Sequence, residues 1–122
     1  MLFSFLALVM IAFVAVLHLA FFVLESFLWT TSTGRRIFGT TREVAESSKA
    51  LAANQGLYNA FLAAGLIWGL VPGPCSFGVK VFFLSCVIIA GIVGGFTAKR
   101  SILLIQALPG AIALLLVMFS QR

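Results

Sequence analysis

Long apolar runs separated by short polar segments dominate the chain. Four helices are predicted from this pattern, at about residues 2–30, 42–71, 77–98 and 102–120. A helix needs about 20 mostly apolar residues to cross the hydrocarbon core of a bilayer, and these runs are of that order. The pattern predicts an all-α protein, an integral membrane four-helix bundle in which residues 1–122 form a single transmembrane domain.

Breakers and charged stretches mark the predicted helix boundaries. Residues 30–49 form the only substantial polar segment, and its last part, residues 42–49, is predicted to run into the second helix without a break. The sequence Pro-Gly-Pro at residues 72–74 forces a turn, because proline cannot continue the backbone hydrogen bonds of a helix. Lys-Arg at residues 99–100 gives a short basic turn before the last helix.

Composition agrees with a membrane location. Apolar residues make up 62% of the 122 residues and charged residues only 9%, whereas soluble domains carry about 25% charged residues. The formal net charge is +5, and the basic residues lie between the apolar runs. This placement predicts a lipid bilayer as partner, with anionic headgroups near the basic loops. No nucleic-acid motif is visible, so no nucleic-acid partner is predicted.

The distribution of basic residues predicts the orientation. Cytoplasmic loops of membrane proteins are enriched in Lys and Arg. The loops after the first and third helices hold six basic residues, and the other side holds two, Lys80 and Arg122. We therefore expect a multi-pass protein of the cell (plasma) membrane with both basic loops in the cytoplasm and both termini outside it.

Two ionisable residues lie within the first helix. His18 and Glu25 are seven residues apart, which places them on one helix face. An ionisable group inside a membrane costs at least about 2.5 kcal/mol on insertion scales, so it usually points inward and has a partner. The pair indicates either proton handling or ligand binding, or else a structural hydrogen bond between helices.

The densest polar cluster lies early in the second predicted helix. Its amides and its one phenol form two rows at i,i+4 spacing, Asn54 with Tyr58 and Gln55 with Asn59. If the first, second and fourth helices pack together, these side chains reach one membrane depth with Glu25 and Gln106. The alternative is that they hold helices together by hydrogen bonds. The hypothesis is a ligand site made of Glu25, Asn54, Gln55, Tyr58, Asn59 and Gln106, with His18, Arg35, Arg36 and Arg42 in secondary positions.

The sequence gives little support for a catalytic site or a metal site. The chain has one His, no Asp and no clustered thiols, which excludes the common zinc arrangements. A serine or cysteine nucleophile would need a base, and only His18 is available. No metal site and no cofactor are predicted, catalytic residues are not assigned, and whether the chain is an enzyme stays open.

Several of these residues together resemble a known family. The resemblance covers nearly the whole chain and is to small bacterial and fungal membrane proteins catalogued only as a domain of unknown function. It implies four membrane helices and no established activity. Its most specific part is the pattern Asn-Gln-Gly-x-Tyr-Asn. The residues that carry it are His18, Glu25, Trp29, the segments 35–39 and 54–65, Gln106 and Pro109.

A looser similarity runs to the membrane-associated proteins in eicosanoid and glutathione metabolism. Those proteins are four-helix trimers with an Asn-x-x-Glu-Asn pattern early in the second helix. Gln55 and Asn59 match the two amide positions, and Tyr58 stands where that family has Glu. This similarity implies a homo-oligomer and a glutathione-dependent transferase with glutathione as its cofactor.

The preferred interpretation is a membrane protein that binds or handles a small or lipophilic ligand in a polar intramembrane pocket near the cytoplasmic side. The first alternative is a glutathione-dependent, transferase-like membrane enzyme. The second alternative is a structural or assembly protein, in which the polar cluster serves only packing.

Overall fold

The computed structural model describes residues 1–121, and over that range it contains helices and no strand. The all-α class predicted from the sequence is confirmed. Arg122, one of the two basic residues predicted to lie outside the cytoplasm, falls outside the described residues. The helices are α1 (Leu2–Ser26), α2 (Ser32–Phe38), α3 (Arg42–Leu70), α4 (Ser76–Thr97) and α5 (Leu108–Phe119), with a π-helical turn at Leu103–Ala107 just before α5.

Two of these helices, α1 and α4, are long and apolar enough to cross a membrane by length and composition. The segment Leu103–Phe119 is a shorter apolar helix, and α3 begins with a charged stretch. Two such helices agree with membrane association. The four-span architecture, the single transmembrane domain and the orientation of the termini stay predictions.

Helix α1 ends at Ser26, before the predicted end at residue 30, because Thr31 organises a turn and starts another helix. The Thr31 hydroxyl donates a hydrogen bond to the carbonyl of Leu28 at 2.6 Å and accepts one from the backbone N–H of Gly34 at 3.1 Å. A hydroxyl that accepts from the first turn of a helix is a favourable N-cap. The result is α2, a seven-residue helix inside the segment predicted as a loop.

Helix α2 ends at Phe38, and Gly39 caps it. Gly39 has a φ of 65° and donates its N–H to the carbonyl of Arg35. Glycine adopts this left-handed conformation without the steric cost that a Cβ imposes. Thr41 then accepts a hydrogen bond from the backbone N–H of Val44 at 3.2 Å, at the beginning of α3. The polar segment therefore has two helix starts, each marked by a threonine hydroxyl.

The chain divides into two compact units. The first unit consists of residues 1–15 and the chain from Leu62 onward, and the second unit is residues 16–61. The first unit has an apolar core to which α1, α3, α4 and α5 contribute. The buried core residues are Ala7, Ile11, Val14, Ala15, Leu66, Leu84, Val87, Ala113 and Val117.

Close helix contact in the first unit depends on a missing side chain in α4. A Cβ at Gly91 would lie 2.6 Å from the backbone nitrogen of Ala107, the last residue of the π-helical turn. The N–H of Leu108 bonds to the carbonyl of Leu103, five residues earlier. Pro109 follows directly and has no N–H to donate, so the regular helical ladder is interrupted where α4 makes this contact.

Specific contacts made by the turn after α1 and by α2 hold the second unit together. The indole N–H of Trp29 donates to the hydroxyl of Ser48 in α3 at 3.0 Å. The Trp29 ring also packs against Phe38 with ring centroids 4.7 Å apart. Gly34 is buried, and a Cβ there would collide with the carbonyl oxygen of Leu28. These contacts fix the chain between α1 and α3 and so position the candidate site.

Candidate functional site: a carboxylate–amide pair beside a cleft

A close approach between α1 and α3 occurs at Gly56. A Cβ at this position would collide with the hydroxyl of Ser26 and would lie 3.2 Å from both the Cβ of Glu25 and the carbonyl oxygen of Phe22. Gly56 is buried, and the backbone of α3 touches α1 here because no side chain intervenes. Side chains one turn further along this face of α3 are therefore within reach of the end of α1.

Asn59, three residues after Gly56, occupies that position. Its side-chain Nδ2 donates a hydrogen bond to Oε1 of Glu25 at 3.3 Å and another to the backbone carbonyl of Gln55 at 3.3 Å. Glu25 and Asn59 are both half-buried. Glu25 thus has a polar partner from the helix that carries the polar cluster.

Among the residues that the structure describes, the Glu25 carboxylate forms no ion pair. Between residues 1 and 121 the one ion pair joins Nζ of Lys49 to Oε2 of Glu46, 3.2 Å apart and on an exposed surface. Asn59 provides the only side-chain hydrogen bond recorded for Glu25 over the same residues. The carboxylate therefore has one amide donor and a second oxygen that no described protein group occupies.

A cleft opens beside this carboxylate. Its volume is about 350 Å³, which falls in the range of about 300–1,000 Å³ typical of small-molecule sites. The walls combine one acid, one base, two hydroxyls, two aromatic rings and two alanines. The lining residues are Glu25, Ser26, Phe27, Trp29, Thr30, Lys49, Ala50 and Ala53.

The other residues of the predicted ligand site are distributed differently. Of the six, Glu25 lines the cleft and Asn59 bonds to Glu25. Asn54, Gln55 and Tyr58 have exposed side chains on α3, and the Tyr58 ring meets Phe61 edge-on at 6.0 Å. Gln106 belongs to the first unit, where it is half-buried in the π-helical turn.

The residues predicted for secondary positions differ in how far they are buried. His18 is fully buried in α1, with its ring edge-on to Phe21 at 6.0 Å between centroids. Arg35 in α2 is half-buried, whereas Arg36 and Arg42 are exposed. The exposed arginines are free to meet a charged surface, and His18 is not.

The residues that sequence reasoning missed are Ser26 at the end of α1, Thr30 in the turn that follows, and the glycine at position 56. Gly56 had a usable signal, because a glycine in the interior of a helix that also carries polar groups often marks a close contact. Ser26 and Thr30 had none, since their position depends on the early end of α1. Lys49, one of the six basic residues that the sequence places in the cytoplasmic loops, also lines the cleft.

The observations so far define a class of protein: a small all-helical chain with two helices of membrane-spanning length and a carboxylate–amide pair beside a cleft. Residues 12–118 match the model of a family described as a protein of unknown function (DUF1304), and the chain belongs to this family. The predicted membership of a family of unknown function is thereby confirmed. The membrane nature of that family and the Asn-Gln-Gly-x-Tyr-Asn pattern stay predictions.

A relative of known sequence leads to the same conclusion. The chain is 30% identical over 94 residues to the uncharacterized protein YpaA of Lactococcus lactis subsp. lactis. The matched region covers 75% of this chain and 76% of that protein. No solved structure matches the chain. The comparisons therefore give a family and leave the activity to be argued from the site.

Proposed function

We propose that this chain is an integral membrane protein that binds a small or lipophilic ligand at the Glu25–Asn59 pair, in the cleft beside it. The hydrogen bond from Asn59 Nδ2 to Glu25 Oε1 carries the proposal, because it places a carboxylate with a free oxygen at a cavity wall. A ligand site needs a few polar groups that converge in a mostly apolar cavity, and this arrangement has that character.

Exposed apolar surface supports the membrane location. In α1 large apolar side chains point outward along the helix, for example Phe5 with 64% and Phe13 with 52% of its surface accessible. Soluble monomers rarely expose contiguous apolar patches of more than a few hundred Å². Lipid tails would solvate such side chains, and α1 and α4 have the required length. We place the protein in the cell membrane as a multi-pass protein with its basic loops in the cytoplasm.

The exposed polar side chains of α3 fit the same proposal. Asn54, Gln55 and Tyr58 cannot face hydrocarbon cheaply, because unsatisfied polar groups there cost several kcal/mol. We propose that they extend the polar surface of the pocket toward water at the cytoplasmic side. Anionic headgroups would lie against the exposed Arg36 and Arg42.

The rival function is structural. A hydrogen bond between α1 and α3 next to the close contact at Gly56 would also hold helices together without any ligand. Glutathione-dependent transfer is a further candidate, supported by the amides Gln55 and Asn59. The experiment that follows separates the three functions.

The test is photolabelling of the purified protein in dodecyl maltoside micelles with the neutral probe 3-trifluoromethyl-3-phenyldiazirine. Labelled residues are mapped by mass spectrometry, with and without excess unlabelled benzotrifluoride. We expect labelling of residues 25–30 and 49–53 that saturates and is competed, and labelling of the outer faces of α1 and α4 that is not. Competition by glutathione at the same residues would favour the transferase. Absence of any saturable labelling would refute ligand binding.

Asn59→Ala distinguishes a binding role from a packing role. We expect saturable labelling to weaken at least tenfold, while the loss of one hydrogen bond between membrane helices costs only about 1 kcal/mol of stability. Ser47→Ala is the control, because it removes a polar group at an exposed position of the same helix that does not line the cleft. A large drop in melting temperature for Asn59→Ala with labelling intact would make the pair a packing motif.

A further inference from the structure

We propose that the cleft selects an organic cation, namely a substituted ammonium group on an apolar body, with Glu25 as its counter-ion. The inference rests on the proposed ligand-binding function and names the class of ligand. Three observations carry it: the uncompensated charge of Glu25, the hydrogen-bonding polarity of the Glu25–Asn59 pair, and the walls of the cleft.

The charge of Glu25 has no partner within the part of the chain that the structure describes. The one ion pair there joins Lys49 to Glu46. A half-buried carboxylate loses part of its hydration, and a cation or several good donors offset the cost of keeping it ionised. Asn59 supplies a single donor at 3.3 Å, longer than the usual 2.7–3.2 Å for such bonds. A bound cation would complete the site.

The hydrogen-bonding groups of the pair are acceptors. An amide nitrogen has two N–H donors, and Asn59 directs its nitrogen to Glu25 Oε1 and to the Gln55 carbonyl. Oδ1 of Asn59 and Oε2 of Glu25 have no described partner, and an ionised carboxylate can only accept. The pair therefore offers oxygens and no spare N–H, which suits a cationic or donor-rich ligand and disfavours an anion.

The walls of the cleft suit a substituted ammonium group. Phe27 and Trp29 line it, and a cation near an aromatic face gains about 0.5–2 kcal/mol from the ring quadrupole. Ala50 and Ala53 add small apolar surface that leaves room for alkyl groups. Lys49 also lines the cleft, but its charge is opposed by Glu46 at 3.2 Å. Glu25 is then the uncompensated charge of the lining.

The test uses three small probes of similar shape as competitors of the photolabel. They are benzyltrimethylammonium, its uncharged carbon isostere neopentylbenzene, and the anion benzylphosphonate. Dodecyl maltoside micelles are used because their uncharged headgroups neither concentrate cations nor supply an ammonium group. We expect the cation to compete at a concentration at least tenfold lower than the neutral isostere, equivalent to about 1.4 kcal/mol. We expect the anion not to compete.

Glu25→Gln removes the charge and keeps the size of the side chain. We expect it to abolish the tenfold advantage of benzyltrimethylammonium and to leave competition by neopentylbenzene unchanged. Glu43→Gln makes the same change of charge at an exposed residue in the first turn of α3 that does not line the cleft, and it should behave like the wild type. The comparison of the three probes on wild-type protein decides the question even if Glu25→Gln does not fold.

The outcomes separate the two proposals. Equal competition by the cation and its neutral isostere, or an unchanged advantage in Glu25→Gln, would overturn cation selectivity and leave ligand binding intact. Preference for benzylphosphonate would also overturn it, and would assign the charge of the site to Lys49. Absence of saturable labelling in the wild-type protein, measured without any of the three competitors, would refute the proposed function itself.

Discussion

In the first unit, the buried residues among 1–15 and 62–121 are all apolar or glycine, and they include large side chains such as Ile11, Leu66 and Leu84. The structure describes every residue of the second unit, residues 16–61, and none of the buried ones has a large apolar side chain. Its buried positions hold one imidazole and four small residues: His18, Gly34, Ala45, Ala52 and Gly56. One unit is therefore held by apolar volume, and the other by close backbone contacts and hydrogen bonds.

This difference bears on where a ligand site can form. A close-packed apolar core leaves few voids and no polar group for a ligand to meet. The second unit has the directed bonds Asn59–Glu25 and Trp29–Ser48 and also the cleft. Regions with few buried apolar contacts are also the regions that open most easily. The unit with the weaker core is thus suited to binding.

The largest effect is expected from Gly91→Ala in α4 of the first unit. The new Cβ would lie 2.6 Å from the nitrogen and 2.9 Å from the Cα of Ala107, so backbone must move to accept it. Overpacking of this kind typically costs about 1–3 kcal/mol. The measurement is thermal unfolding in dodecyl maltoside, followed by far-ultraviolet circular dichroism.

Gly78→Ala is the matched control in the same helix, because a Cβ at Gly78 would meet open space. Alanine is a better helix former than glycine by about 0.8–1.0 kcal/mol, so this variant should be as stable as the wild type or more stable. Equal melting temperatures for Gly91→Ala and the wild type would contradict the idea that the first unit depends on close helix contact.

A smaller effect is expected from Trp29→Phe in the second unit. The substitution removes the hydrogen bond to the Ser48 hydroxyl and keeps an aromatic ring beside Phe38. The loss should be about 1 kcal/mol, typical of one intramolecular hydrogen bond. Trp68→Phe is the control, since Trp68 is 59% exposed. If the two variants unfold at the same temperature, the Trp29–Ser48 bond does not stabilise the second unit.

Local signals account for what the sequence predicts well. The helical class follows from the length and periodicity of the apolar runs. A glycine within an apolar helix indicates a close helix contact. In the structure Gly65 lies against Phe83 and Gly91 lies against Ala107.

Tertiary contacts account for what the sequence does not predict. Helix α2 exists because of one threonine cap and one left-handed glycine, both of which are weak signals in a polar segment. The π-helical turn lies against Gly91, which is remote in sequence. The choice of Asn59 over Asn54 or Gln55 as the partner of Glu25 depends on the contact at Gly56.

The smallest effect is expected for the exposed pair Glu46–Lys49, which lies one turn apart on α3. A double-mutant cycle with Glu46→Gln and Lys49→Gln should give a coupling energy of about 0.2–0.5 kcal/mol, the range of helix pairs in water. The coupling should fall further in 1 M salt, because exposed charges are then screened within about 3 Å. The measurement is chemical unfolding of the wild type, both single variants and the double variant.

The size of this coupling matters because Lys49 lines the cleft and Glu46 does not. A weak, salt-sensitive coupling means that the second unit owes little stability to surface charge and that hydrogen bonds such as Trp29–Ser48 hold it. A coupling above about 1 kcal/mol would be outside the range of exposed pairs. It would mean that Lys49 is held rigidly at the cleft wall, and the contrast between the two units would then have to include a charge pair.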